Sequence, residues 1–417
     1  MNPMKILQSQ IYIGDESLDN LKELVKKYDD DQIVVIADEN TYRCCLPVAI
    51  ASFQLLEAKI PPFGRNDCKN GADKGKKAAA KPPLSSPVSP QSRQSFRMER
   101  SEMRNLKTNS VIDTERNLKT IIIPIGEEHK NIFTATEVWK QLLHHKITRN
   151  GLIINLGGGV VGDLGGFCAS VWKRGIDFIQ IPTSLLAMVD ASCGGKTGVN
   201  LDGIKNQIGA FNTPQAVLVA PCFLKTLPQR EFLSGVAEML KHAIIAEDKS
   251  LFQQLSAIET PTVENIAPLI EPAIAIKNDI VLQDPYEKNI RKILNFGHTI
   301  GHAIETWSQS TKTPLLHGEA VALGMKYEIQ LAQEKQLISQ TTATRYISFI
   351  QKFFGHITTE PIPLDTLFNI MRHDKKNSSK GVSFVLPMED GKFAMDVNIF
   401  KKLYLYSRKI IKKQQIC

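Results

Sequence analysis

The sequence predicts an α/β protein: a parallel sheet with helices on both faces, followed by a mainly helical domain. Three observations carry this reading. Short Ile- and Val-rich runs occur at 33–38 (IVVIAD), 120–126 (TIIIPIG), 152–159 (LIINLGGG), 177–184 (DFIQIPTS) and 216–221 (AVLVAP). Runs that are apolar throughout, and that stop at Gly, Asp, Thr or Pro, mark strands buried on both faces. Helical periodicity at 16–28, 132–146 and 161–172 falls between them, which is the alternation of a doubly wound sheet. Beyond Pro221, periodic apolar residues continue through 229–246, 263–282, 296–308, 317–335 and 340–354, and strand-like runs vanish until SFVLP at 383–387. The expected division is therefore 1–221 for the sheet domain, 222–400 for the helical domain and 401–417 for a basic tail.

The chain has 417 residues, 42% hydrophobic and 23% charged, which are globular values. Its net charge of +8 by itself invites a nucleic-acid reading. The charge is concentrated, however. Residues 61–118 hold 12 Lys/Arg against 6 Asp/Glu, and residues 401–417 hold 6 Lys/Arg and no acid, so the rest of the chain carries a net −4. The first stretch is rich in Lys, Pro, Ser, Gly and Ala. It reads as a disordered or loosely ordered insertion, with a short helix at Glu99–Lys107, because such composition buries too little apolar surface to offset chain entropy. A membrane partner is not expected, since no run approaches about 18 consecutive apolar residues. Seven scattered cysteines and the lack of a long apolar stretch at the N-terminus suggest a reducing, cytoplasmic setting.

Three segments carry chemistry. Gly157, Gly159 and Gly162 fit G-x-G-x-x-G between an expected strand and helix, so backbone N–H groups and the helix N-terminus would face a pyrophosphate in a Rossmann-like site. The acid that would serve the ribose does not follow about 20 residues later; the strand-end acid is Asp38, far upstream. Residues 187–209 form a polar, glycine-rich segment read as a binding loop, with Lys196, Lys205 and Asn206 suited to a phosphate or carboxylate. Finally, NFGHTIGHAIE places His298 and His302 at i and i+4, His317 opens a further helix, and Glu238 lies in GVAEMLKHA. Imidazole and carboxylate together suit Zn²⁺ or a similar divalent ion. Lys241, Lys277 and Arg291 nearby point to an anionic ligand, and the cleft between the domains is the expected place for it.

Together these stretches resemble the 3-dehydroquinate synthase family. GGGVVGDLGGF, IPTSLLAMVDASCGGKTGVN, KNQIGAF, KTLPQREFLSGVAEMLKHAII, RKILNFGHTIGHAIE, LHGEAVALGM and DKK carry the resemblance, which runs from about residue 5 to 400 and breaks at the insertion. It implies an NAD-binding sheet domain, a helical metal- and substrate-binding domain, and a homodimer. It implies that Asp38, Asn40, Glu127, Lys130, Gly158, Gly159, Asp163, Thr183, Ser184, Asp190 and Ser192 contact the cofactor, with Lys196 and Lys205 also near it. The metal, zinc or cobalt, would fall to Glu238, His298 and His317, with His302 on the substrate-phosphate side. Lys196, Lys205, Asn206, Lys241, Lys277, Arg291, Asn295 and Lys375 or Lys376 match substrate positions, Arg291 being the candidate for the substrate carboxylate. Arg174 matches an arginine that reaches a neighbouring subunit. The implied reaction converts 3-deoxy-D-arabino-heptulosonate 7-phosphate to 3-dehydroquinate and phosphate. Another sugar-phosphate cyclase, or a polyol-phosphate dehydrogenase of similar fold, would share much of this pattern.

Overall fold

The computed structural model describes residues 4–7, 9–53, 109–113, 118–202, 204–373, 382–389 and 391–399. Lys375, Lys376, the tail 401–417, the expected helix at Glu99–Lys107 and most of the 61–118 stretch lie outside these residues. One part of that stretch does not match the expectation of loose order: Asn109–Asp113 forms a strand.

Twelve strands are described: β1 (Met4–Ile6), β2 (Ser9–Ile13), β3 (Ile33–Asp38), β4 (Asn109–Asp113), β5 (Leu118–Ile123), β6 (Leu152–Gly157), β7 (Asp177–Pro182), β8 (Lys196–Leu201), β9 (Ile204–Phe211), β10 (Ala216–Val219), β11 (Val382–Pro387) and β12 (Phe393–Ile399). Eight of them make one sheet in the order β1-β2-β10-β7-β6-β3-β5-β4. The inner pairings are parallel, and β1 and β4 close the two edges antiparallel.

The apolar runs are explained by two cores. Ile33 and Val35 of β3 enter one core, while Val34 and Ile36 enter the other. Each such buried aliphatic contributes about 1.5–3 kcal/mol relative to exposure, so a strand polar on either face would not occupy this position. The core containing Ile33 continues through Val236, Ile300 and Val321, so one face of the sheet shares its interior with the helical domain.

Helices position the site. We number those used below α1 (Glu39–Cys44), α2 (Ile132–His144), α3 (Gly159–Val171), α4 (Gln229–Ile245), α5 (Ile270–Gln283), α6 (His298–Ser308) and α7 (His317–Glu334). Asn131 caps α2, its Oδ1 accepting from the N–H groups of Phe133 and Thr134. α3 lies very close to the sheet: a Cβ on Gly165 would sit 1.9 Å from Asn155 Oδ1. Among the described residues, no helix is long and apolar enough to cross a membrane.

The segment 187–209 departs from the expected loop. It contains a π-helical turn at Ala187–Ala191 and the antiparallel hairpin β8–β9. The helix expected at 16–28 is a 3₁₀ turn, Asp15–Asp19, running into the short helix Asn20–Val25.

Candidate active site

A cleft of about 3000 Å³ opens between the carboxyl ends of the strands and the helical domain. Strand order resolves the puzzle of the distant acid. β3 lies beside β6, with Ala37 opposite Leu156, so Asp38 ends next to Gly157 although 119 positions separate them. This is where the strand order reverses direction, the usual ligand crevice of such sheets. Asp38 Oδ1 also caps α1, accepting from Thr41 N–H at 2.8 Å. Gly158 is the N-cap of α3. A Cβ on Gly158 or Gly159 would find its nearest neighbours only at 3.4 and 3.5 Å, so the helix N-terminus is open to close approach by a ligand.

Asn40, Glu127, Thr183 and Ser184 line the same end of the cleft. Buried Lys130 donates to Asp163 Oδ2 at 2.6 Å. Ser192 is buried and does not line the cleft; Arg174 is exposed on a turn after α3, at a φ of 74°, and also lies outside it.

The hairpin delivers two lysines to carboxylates of the helical domain. Lys196 contacts Glu287, which also accepts from Asn295 Nδ2 at 2.6 Å. Lys205 Nζ donates to Glu305 Oε1 at 2.5 Å. Asn206, at a φ of 51°, is oriented by Asn200, whose Oδ1 accepts from its N–H at 2.9 Å. Lys277 donates to Asp190 Oδ1. Burial opposes the Asp190 charge, but Lys277 and Lys241 outweigh it and hold the carboxyl well below the usual range. Arg291 is 2% exposed, and its guanidinium donates to the carbonyls of Pro285 and Gly194. The residue lines the cleft wall, and its Nε is buried without a hydrogen-bond partner.

The metal-type residues meet on three helices. Glu238, from α4, is fully buried. Its Oε2 contacts Lys241, while Oε1 lies 3.5 Å from His298 Nε2 and 3.6 Å from His317 Nε2 and has no hydrogen-bond donor. These separations are too long for good hydrogen bonds. They match two ligands placed about 2.1 Å from a tetrahedral zinc, which stand about 3.4 Å apart. Each histidine has its other nitrogen engaged: His298 Nδ1 meets the Phe296 carbonyl at 3.1 Å, and His317 Nδ1 meets Glu305 Oε2 at 3.2 Å. That is the arrangement that turns Nε2 toward an ion. Burial pushes His298 well below the usual imidazole range, so it is neutral and ready to ligate. His302 lies beside both, its ring 5.1 Å from that of His298 and 5.7 Å from that of His317.

Two groups have ligand atoms all within 4.8 Å of one another: His298, His302 and His317, and Asp190, Glu238 and His242. In the second, Asp190 is paired with Lys277, and Lys241 contacts Glu238 whichever group Glu238 joins, so the second group faces one more ammonium than Glu238 with His298 and His317.

Sequence reasoning missed Glu287 and Glu305. Glu305 carried a signal: it stands seven residues after His298 and three after His302, on the same helical face. Glu287 carried none, because its role arises only where the hairpin crosses to the helical domain.

Residues 120–234 match the family model described as 3-dehydroquinate synthase N-terminal, and residues 235–377 match 3-dehydroquinate synthase C-terminal. The chain belongs to the 3-dehydroquinate synthase family. It is 44% identical to the 3-dehydroquinate synthase of Sulfurovum sp. (strain NBC37-1), over 65% of this chain and 76% of the relative. The fold is that of 2-deoxy-scyllo-inosose synthase, solved with carbaglucose-6-phosphate, NAD⁺ and Co²⁺, at a TM-score of 0.74 and 22% identity over 97% of this chain and 98% of that one. It is also that of 2-epi-5-epi-valiolone synthase from Streptomyces hygroscopicus subsp. jinggangensis 5008, solved with NAD⁺ and Zn²⁺, at a TM-score of 0.72 and 20% identity over 100% and 99%. Membership of the 3-dehydroquinate synthase family makes this protein an enzyme of that type.

Proposed function

We propose that the protein converts 3-deoxy-D-arabino-heptulosonate 7-phosphate to 3-dehydroquinate and phosphate. The observation that carries this is one cleft lined by an open helix N-terminus, by His298 and His317 with Glu238 buried behind them, and by the cations Lys196, Lys205, Lys241, Lys277 and Arg291. When bound, NAD⁺ supplies reversible hydride transfer at C5, and the divalent ion, zinc or cobalt, lowers the pKa of the hydroxyl it touches.

The chain's own residues do the rest. The backbone at Gly158 and Gly159 holds the pyrophosphate. Asp38, Asn40, Glu127 and Lys130 take the adenosine side. Asp163, Thr183, Ser184 and Asp190 shape the remainder of the cofactor site, and Ser192 is assigned to it by resemblance alone. Arg291 offers its guanidinium to the substrate carboxylate, with Lys196, Lys241, Lys277 and Asn295 adding charge and donors around the ring. His302, Lys205 and Asn206 hold the phosphate, which leaves C7 as a proton leaves C6 once C5 is a ketone. Held this close, the leaving phosphate itself is placed to take that proton. After C5 is reduced again, the ring opens and an intramolecular aldol step closes the carbocycle. Lys375 is assigned to the substrate by resemblance. Arg174, exposed and outside the lining of its own cleft, is assigned by resemblance to the site of a second subunit in a homodimer.

Phosphate release from the heptulosonate phosphate tests this. Release is expected only with NAD⁺ and a divalent ion present, is abolished by chelator, and leaves no net NADH. No release under these conditions, or NADH accumulating in step with turnover, would overturn it.

A further inference from the structure

We infer that Glu305 is a positioning residue that couples the metal ligand His317 to Lys205 of the hairpin. The inference rests on the metal reading above and goes beyond it. Glu305 sits on α6, 3% exposed. Its two oxygens have separate tasks: Oε2 is 3.2 Å from His317 Nδ1, and Oε1 is 2.5 Å from Lys205 Nζ. One carboxylate thereby joins α7 of the helical domain to β9 of the hairpin.

The two ligand histidines are oriented differently. A backbone carbonyl fixes His298, and backbone cannot be lost by side-chain substitution. His317 depends on a side chain. A carboxylate behind an imidazole fixes the tautomer with the proton on Nδ1, limits ring rotation and raises the donor strength of Nε2. Glu305 supplies all three effects to His317. Its negative charge is shared with Lys205, so the position of that lysine sets how much charge Glu305 gives the imidazole. Lys205 is placed on the phosphate side of the substrate, so the same carboxylate ties phosphate binding to the ligand field of the ion.

The test is zinc affinity, measured by competition with a chromogenic chelator, together with the visible spectrum of the Co²⁺-loaded protein. Glu305→Gln is expected to weaken zinc binding by about 10–100-fold and to shift the Co²⁺ bands. Glu305→Asp keeps the charge and is expected to recover part of that affinity. Zinc affinity in Glu305→Gln within about threefold of the parent, with unchanged bands, would overturn the inference. Lys205→Met provides an arm that does not depend on Glu305→Gln folding. Lys205 is not a ligand, so a shift of the Co²⁺ bands in Lys205→Met supports the coupling, and an unchanged spectrum overturns it. His317→Ala separates the two levels. Zinc loss in His317→Ala with Glu305→Gln unaffected refutes the role of Glu305 alone. Zinc retained by His317→Ala refutes the metal assignment, and the inference with it.

Discussion

Lys277 donates to Asp190 twice, to the side-chain Oδ1 at 2.6 Å and to the backbone carbonyl at 2.5 Å. α5 is thereby pinned to the π-helical turn at the floor of the cleft. Replacing Lys277 by Met leaves Asp190 with Lys241 at 3.9 Å and His242 Nε2 at 3.8 Å. Losing the nearest charged partner of a partly buried carboxylate is expected to cost about 1.5–3 kcal/mol. A lower denaturant midpoint with an unchanged slope is the expected result, along with loss of turnover.

The two acid–histidine clusters differ in their histidines and share Glu238. Glu238→Gln should abolish zinc retention after dialysis on either assignment; His298→Ala should abolish it as well, while His242→Gln, although buried, should keep it. Zinc content by atomic absorption decides between them, and metal lost in His242→Gln and Glu238→Gln but kept in His298→Ala would move the ion to the Asp190 cluster.

Burial works against a charged His317, but Glu305 and Glu238 outweigh it and push its pKa up to about 9. The metal-free protein therefore gains stability from His317 that is fully present below about pH 6.5 and is lost as pH rises through about 9. Zinc must displace that proton. Its apparent affinity should climb about tenfold per pH unit through neutrality and level off above about 9. Calorimetry in buffers of different ionisation heat should count one proton released per zinc at pH 7, and none would contradict the assignment.

Gly324 lets α7 pass directly under the start of α6. A Cβ there would lie 2.0 Å from the carbonyl oxygen of Gly297, the residue before His298. Gly324→Ala should cost about 2–3 kcal/mol through overpacking and weaken zinc binding as well, by moving His298. A melting curve and a zinc titration on the same sample check both.

The strand at Asn109–Asp113 covers the edge of β5. Deleting 65–105 should leave turnover within about twofold, as expected for a surface insertion. Deleting 65–115 uncovers β5 and should lower soluble yield and melting temperature, since an open edge invites pairing between chains.

The sheet was legible because its strands are apolar on both sides, a pattern that few other elements share. The hairpin β8–β9 was not. Asp202 and Asn206 take positive φ values of 50° and 51°, and the register slips between Val199 and Leu201. The strand alternation is broken where it would be read, and the lysines stand out instead. The ligand set showed in the spacing of His298, His302 and Glu305, but which nitrogens converge depends on where α4 lies. Glu238 becomes a ligand candidate only when α4 packs against α6 and α7. Resemblance supplied that step; spacing alone offered His298 with His302. Strand β4 was hidden because five residues with only two apolar side chains, Val111 and Ile112, carry too little pattern to stand out from a basic stretch.

Glu238, His298 and His317 all belong to α4, α6 and α7, and none to the sheet. The contacts that cross from the hairpin, Lys196 to Glu287 and Lys205 to Glu305, lie outside this cradle. A cleft that opened at the hairpin would part these outer contacts while α4, α6 and α7 stayed joined through their common core. The residues proposed to hold the ion would then keep their spacing while nucleotide and sugar come and go.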